Sequence, residues 1–100
     1  MLDIHFNTAE AIKAELDIYI PSLKVAFELN GVFHYEPIFG TTKLQQMQNK
    51  DQYKLHACTT AGIDLCVIDT SADLYFKPKA SQRYLDIITK IIDERMAVMI

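Results

Sequence analysis

The stretch from Glu15 to Gly31 constrains the fold of this chain most, because it has the pattern of a β-hairpin. Apolar and polar residues alternate in both arms, with Leu16, Ile18 and Ile20 as the apolar set of the first arm and Val25, Phe27 and Leu29 as that of the second. Such alternation is typical of strands that bury one face. Pro21 and Ser22 stand between the arms, and proline fixes its own φ and favours an extended residue before it. The stretch therefore predicts two antiparallel strands joined by a tight corner.

The length of this corner decides which acidic residues meet across the hairpin. A two-residue corner at Pro21 and Ser22 places Glu15 opposite Glu28, with Asp17 diagonal to Glu28. A four-residue corner places Asp17 directly opposite Glu28. Both registers put Asp17 and Glu28 on the same face, with Cβ atoms roughly 4.5–8 Å apart.

These carboxylates have two interpretations. Like charges at this spacing raise each other's pKa and destabilise a sheet unless a cation lies between them, which favours a divalent metal site. The alternative is a hairpin with one solvated face, on which acidic residues serve solubility alone. The pattern leaves both interpretations open.

Length and composition favour a small protein with one hydrophobic core. The 100 residues predict a single domain spanning residues 1–100, and the low content of three glycines and three prolines argues against linkers and repeats. No apolar run approaches the roughly 20 residues of a membrane span, and the N-terminus lacks the basic and apolar regions of a signal peptide. Cys58 and Cys66 have no zinc-site spacing, which favours buried thiols. We therefore expect an intracellular, cytoplasmic protein without a membrane partner.

The net charge does not by itself favour a nucleic-acid partner. The formal value is −3 at pH 7, whereas nucleic-acid-binding domains are typically basic. Seven of the ten Lys and Arg residues lie from Lys50 onward, however. Binding to a polyanion would therefore depend on a local basic patch.

Residues 43–60 predict a helix that Thr42 caps and Gly62 ends. Its apolar stripe consists of Leu44, Met47, Leu55 and Cys58. Asp51 falls within this stripe and Lys54 at its edge, so both are expected to face the sheet. A carboxylate that points inward needs a partner, and Lys54 and His34 are the candidates.

His34 follows the hairpin in an aromatic segment punctuated by Pro37 and Gly40, which predicts a strand end passing into a loop. A histidine among aromatic residues is either a packed side chain or, beside an acidic face, a general base near neutral pH. The sequence leaves both roles open. It equally leaves open whether a pair of Asp51 and His34 is structural or belongs to an active site.

The second half of the chain predicts one more strand and one more helix. Residues 63–69 form an apolar, β-branched run, typical of a buried strand. Because a helix separates it from the hairpin, this strand is expected to return parallel within the same sheet. The last helix, residues 80–96, has the stripe Tyr84, Ile88, Ile91, Ile92 and Met96. Residues 2–6 predict a short strand, residues 8–14 either a helical turn or extended chain, and Tyr75 and Phe76 are expected to pack against the body.

Several segments together resemble the catalytic core of a known enzyme family. They are Glu15-Leu-Asp-Ile-Tyr-Ile-Pro, Phe27-Glu-Leu-Asn-Gly-Val-Phe-His34, Lys50-Asp51 with Lys54, and Gly62-Ile-Asp-Leu with its return strand. This combination resembles the very-short-patch-repair-like branch of the PD-(D/E)xK nucleases, and within it the EDxHD-type homing endonucleases of phages and mobile elements. The likeness covers residues 15–69 closely and the last helix loosely. It implies an α/β fold with a restriction-endonuclease-like core, in which helices flank a mixed β-sheet.

The resemblance also implies catalytic roles by position. Asp17 and Glu28 would hold Mg²⁺ or Mn²⁺, with Glu15 as a third metal ligand. His34 would assist proton transfer or the leaving group, and Asp51 would orient His34 or contribute to the metal site. The implied activity is hydrolysis of a phosphodiester by a metal-activated water.

The implied partner is double-stranded DNA in a phage or bacterial host. Lys50 and Lys54 would contact its phosphates, which supplies affinity rather than sequence choice. The segments that read the target sequence are expected outside these 100 residues, and a homodimer stays open.

One departure from the family pattern favours a different class of function. Where the superfamily has Glu-x-Lys, this chain has Glu28-Leu29-Asn30, so the lysine that orients water is missing, and His34 or Lys54 would have to replace it. A non-cleaving nucleic-acid-binding or assembly module that retains the nuclease fold is therefore the alternative. A domain that binds a small molecule or a protein is a third possibility.

Overall fold

The computed structural model describes residues 3–8, 12, 14–73 and 78–99, which form an α/β fold with one mixed sheet. Its elements are strands β1 (His5–Phe6), β2 (Ile18–Ile20), β3 (Val25–Asn30) and β4 (Asp64–Asp69), with helices α1 (Thr41–Thr60) and α2 (Pro78–Met99). The strand order is β1-β2-β3-β4, with antiparallel pairing up to β3 and parallel pairing of β3 with β4. The described chain therefore contains both the predicted hairpin and the predicted parallel return strand.

The corner of the hairpin has four residues. Pro21–Leu23 form a 3-10 turn, and the backbone N–H of Lys24, at a φ of 51°, donates to the carbonyl of Pro21 at 3.1 Å. The ladder pairs Ile18 with Phe27. The four-residue alternative is thus the one that forms.

Both faces of the sheet are covered, each by one helix. On the α2 side the buried cluster contains Ile20, Val25, Phe27, Ile68 and Ile88. On the α1 side it contains Ile12, Leu16, Ala26, Cys58 and Ile63. Glu28 and Asn30, only 5% exposed each, are also on the α1 side because they follow Ala26 at intervals of two. The interpretation of this face as solvated is therefore wrong at these two residues, since α1 packs over it.

Two predictions for the hairpin need correction. Leu16 is fully buried, but in the α1-side cluster rather than with Ile18 and Ile20. A bend at Asp17 precedes β2, so the alternation of faces does not extend back to Leu16. Leu29, predicted to be buried with Val25 and Phe27, is 39% exposed. Phe27 is the last β3 residue in the α2-side cluster.

The helices differ from their predictions in three details. Leu55 and Met96, predicted to be buried, are 53% and 42% exposed. Leu55 is exposed because α1 faces the sheet and the loop after β3 along residues spaced three and four apart: Leu44, Met47, Asp51, Lys54 and Cys58. Thr42 does not cap α1, which begins at Thr41 after Gly40 and has no side-chain cap hydrogen bond.

The C-terminus of α1 ends as predicted. Gly62 adopts a φ of 75° and donates its N–H to the carbonyl of Thr59 at 3.2 Å, while the N–H of Ile63 donates to the carbonyl of Cys58 at 2.8 Å. This pair of bonds is a Schellman motif, which glycine favours because it lacks Cβ. The motif turns the chain from α1 directly into β4.

Among the described residues, neither helix has the length and apolar character needed to cross a bilayer. Both cysteines are free thiols, Cys58 fully buried and Cys66 half-buried. The predicted packing of Tyr75 and Phe76 lies outside the described residues, as does part of the segment 8–14.

Candidate active site

Two carboxylates meet at the open end of the hairpin. The backbone N–H of Asp17 donates to Glu28 Oε1 at 3.0 Å, and the backbone N–H of Leu29 donates to Asp17 Oδ2 at 2.8 Å. These reciprocal bonds continue the pairing of β2 with β3 beyond the ladder. They hold both acidic side chains in place through one oxygen each, which leaves the second oxygen of each available to another partner.

Glu28 is the buried member of this pair, and Lys54 of α1 is its counter-ion. Lys54 Nζ lies 3.5 Å from Oε1 and 3.4 Å from Oε2 of Glu28. Burial, and then the neighbouring charge of Asp17, raises the pKa of Glu28, and Lys54 only partly opposes this rise. The carboxylates are therefore incompletely neutralised, and an added cation at this position would stabilise their charged forms.

His34 and Asp51 form a second pair on the same side of the sheet. His34 ends the 3-10 turn Val32–His34 that follows β3, and its Nδ1 lies 2.8 Å from Asp51 Oδ2. Both side chains are about one quarter exposed, at 21% and 27%. When Nδ1 carries the proton and donates to Asp51, Nε2 is left as a proton acceptor. Of the two partners considered for Asp51, the structure therefore selects His34.

One turn of α1 organises both pairs. Asp51 and Lys54 are three residues apart, so they are neighbours on one face of the helix. Asp51 holds His34, and Lys54 contacts Glu28. The structure thus brings an acidic pair from the hairpin, an imidazole from the 3-10 turn after β3 and an amine from α1 to one side of the sheet.

Asn30 adds a buried side-chain oxygen, for which the sequence predicted no role in the site. It stands two residues after Glu28, on the same face of β3. Its Oδ1 is buried without a hydrogen-bond partner among the described residues. A signal for this position was available in the sequence, because the strand alternation places Asn30 on the face of Glu28.

Glu15 and Lys50 lie beside this cluster rather than inside it. They line an open cleft of about 390 Å³ together with Ala14, Tyr53 and Lys54. Glu15 is exposed and is not part of the hydrogen-bonded pair of Asp17 and Glu28. Lys54 borders both the cleft and Glu28.

The donor chemistry of this cluster fits a magnesium ion held by few protein ligands. Within the described part of the chain, no three His, Cys, Asp or Glu side chains converge as a metal-binding group. Magnesium, however, keeps several waters and is commonly held by one or two carboxylates together with substrate phosphates. Asp17 and Glu28 supply two such carboxylates, and the unpartnered oxygen of Asn30 is of the same hard donor type.

Comparisons of the chain with protein-family models, with curated proteins and with solved structures gave no match.

Proposed function

We propose that this protein is a metal-dependent DNA endonuclease with a restriction-endonuclease-like core, which hydrolyses phosphodiester bonds. The observation that carries the proposal is the joint placement, by one turn of α1, of Lys54 on Glu28 and of Asp51 on His34. An incompletely neutralised acidic pair beside an oriented imidazole is suited to hydrolysis of a phosphodiester by water.

Asp17 and Glu28 would hold Mg²⁺ or Mn²⁺, each through the oxygen that its backbone hydrogen bond does not use. A bound divalent ion polarises a phosphate and lowers the pKa of water. Glu15, which lines the adjoining cleft, would be a third ligand.

His34 and Asp51 would carry out the proton transfer from the attacking water. With Nδ1 held by Asp51 at 2.8 Å, the Nε2 of His34 can accept a proton from the attacking water. Asp51 then stabilises the imidazolium and keeps its ring oriented. His34 is the catalytic residue of this pair, and Asp51 positions it.

Lys50 and Lys54 would contact phosphates of double-stranded DNA. Such contacts give affinity that falls with salt concentration and carry no sequence information. A homodimer on DNA would bring two such sites together for cleavage of both strands, and the sequence-reading segments would be supplied from outside this chain.

The test is cleavage of supercoiled plasmid by the purified protein with Mg²⁺ or Mn²⁺. The main variant is Asp17→Asn, because asparagine can still accept the hydrogen bond from Leu29 through its side-chain oxygen. The matched control is Asp93→Asn, which makes the same exchange at an exposed position on α2. The proposal expects nicking by the wild type and the control, and none by Asp17→Asn.

A non-cleaving nucleic-acid-binding module is the second candidate, and one observation favours it. The reciprocal bonds of Asp17 and Glu28 to the backbone give both acids a structural task without any metal, and Asn30 cannot replace the charge of the superfamily lysine. Retention of DNA in a gel-shift assay, with no nicking under any metal condition, would support this candidate. Neither DNA binding nor uptake of a divalent ion would point instead to a domain that binds a small molecule or a protein.

A further inference from the structure

Lys54 borders both the buried carboxylate of Glu28 and an open cleft. Its amine contacts Glu28, which is 7% exposed at the side chain, while its own side chain is 23% exposed and lines the cleft with Lys50 and Tyr53. A lysine has a long flexible stem and three rotatable donors. Lys54 can therefore move its amine from the carboxylate of Glu28 to the cleft by side-chain rotation, without any backbone change.

The contact between Lys54 and Glu28 is loose for an ion pair. The distances of 3.4 and 3.5 Å exceed the roughly 2.7–2.9 Å of a charge-assisted hydrogen bond. The charges also favour exchange. The two ionised carboxylates attract the ammonium of Lys54, but a divalent ion at Asp17 and Glu28 would cancel their charge and remove that attraction.

The cleft offers a place for an incoming phosphate. Lys50 and Lys54 are four residues apart on α1, so they are neighbours on the helix surface, and together they outweigh the single carboxylate of Glu15 on the same cleft. A phosphate bound in this cleft would offer the amine of Lys54 a new anionic partner once that amine has left Glu28.

We infer that Lys54 is an exchangeable counter-ion, which pairs with Glu28 in the free protein and moves to a DNA phosphate in the cleft when a divalent ion occupies the carboxylates. This inference rests on the metal site of the proposed function. It assigns Lys54 as the positioning residue that couples metal binding to DNA binding. Because coupling between two ligands is reciprocal, DNA must strengthen metal binding by the factor by which metal strengthens DNA binding.

The experiment is a calorimetric titration with Ca²⁺, chosen to occupy the carboxylates with little turnover, in the presence and absence of a short DNA duplex. The variants are Lys54→Met, which removes the charge, and Lys54→Gln, which keeps a donor for Glu28 if the first variant is too unstable. Lys50→Met is the matched control, because it removes a cleft lysine that has no contact with Glu28 among the described residues. Far-ultraviolet circular dichroism verifies the fold of each variant.

The wild type should bind Ca²⁺ about fivefold or more tightly when DNA is present. The Lys54 variants should bind Ca²⁺ more tightly than the wild type without DNA, since no lysine has to be displaced. Their coupling should be weaker than that of the wild type, because only direct contact between the ion and a phosphate would remain. Lys50→Met should bind DNA more weakly and keep the coupling.

Two results would overturn the inference, and only the second would also overturn the proposed metal-dependent function. If the wild type binds Ca²⁺ but the Lys54 variants show the same affinity and coupling, Lys54 does not exchange, and the metal site itself stands. If the wild type binds no divalent ion with or without DNA, the proposed metal-dependent function fails together with the inference.

Discussion

Replacement of Lys54 by methionine tests whether its amine is the counter-ion of buried Glu28. Methionine preserves most of the apolar stem but leaves a carboxylate, 7% exposed at the side chain, without its cation. Removal of one partner from a fully buried ion pair costs about 3–5 kcal/mol. Here the pair is long, at 3.4 Å, and Lys54 is 23% exposed, so water can replace part of the lost interaction. We therefore expect a loss of about 2 kcal/mol at neutral pH, or about 8–16 °C in Tm for a chain of this size.

The loss should depend on pH in a defined direction. Burial and Asp17 raise the pKa of Glu28 above its ordinary value of 4.5, and Lys54 acts against them. Without Lys54 the folded-state pKa rises further, so the variant retains a proton on Glu28 at a pH where the wild type has lost it. The stability difference between wild type and variant should therefore be small at a pH below both folded-state pKa values, where Glu28 is protonated in both proteins. It should grow as pH rises through the interval between the two folded-state pKa values, and then level off above the higher of the two.

The assay is urea unfolding of the metal-free protein across this pH range. The double variant Glu28→Gln/Lys54→Met removes both charges while glutamine keeps an acceptor for the N–H of Asp17, so it should recover most of the stability and lose the pH dependence. Lys50→Met, an exposed exchange of the same type, should stay within about 0.5 kcal/mol of the wild type. An equal loss from Lys54→Met at both ends of the pH range, or no recovery in the double variant, would refute the counter-ion role.

Three further predictions concern the metal, the proton-transfer pair and the end of α1. A divalent ion at ten times its Kd should stabilise the wild type by about 1.4 kcal/mol, or about 6–11 °C by scanning calorimetry; an equal rise in Asp17→Asn would place the ion elsewhere. In single-turnover nicking, Asp51→Asn should slow cleavage about 10–100-fold and His34→Ala about 10²–10⁴-fold. The double variant should be no slower than His34→Ala, because Asp51 acts through the ring; a further drop would show an independent role. Gly62→Ala should lower the free energy of unfolding in urea by about 1–2 kcal/mol, since Gly62 has a φ of 75°, where alanine is strained. An unchanged urea midpoint would show that alanine is not strained at this position.

The parts of the fold that local patterns encode were predictable. The period-two alternation indicated the hairpin, and Gly62 indicated the end of α1, because both depend on residues that are neighbours in the chain. The parallel return of β4 followed from a helix between two strands. These predictions agree with the described strands and with the Schellman motif at Gly62.

The candidate site was predictable as a set of residues but not as a set of contacts. The strand alternation put Asp17 and Glu28 on one face, and the helical spacing turned Asp51 inward. The sequence could not choose between His34 and Lys54 as the partner of Asp51, because that choice depends on the distance of α1 from the loop after β3. The structure pairs Asp51 with His34 and leaves Lys54 to Glu28.

Tertiary packing alone decided which polar groups are buried. Alternation gives a strand two faces but does not say whether a helix covers the second one, so Glu28 and Asn30 were as compatible with solvent as with the interior. The position of α1 over that face buries them to 5% exposure and turns Leu55 outward. Local chemistry thus determined the elements and the order of the reactive groups along the chain. The desolvation of Glu28, which shifts its pKa and creates its need for a cation, arises only when distant segments pack together.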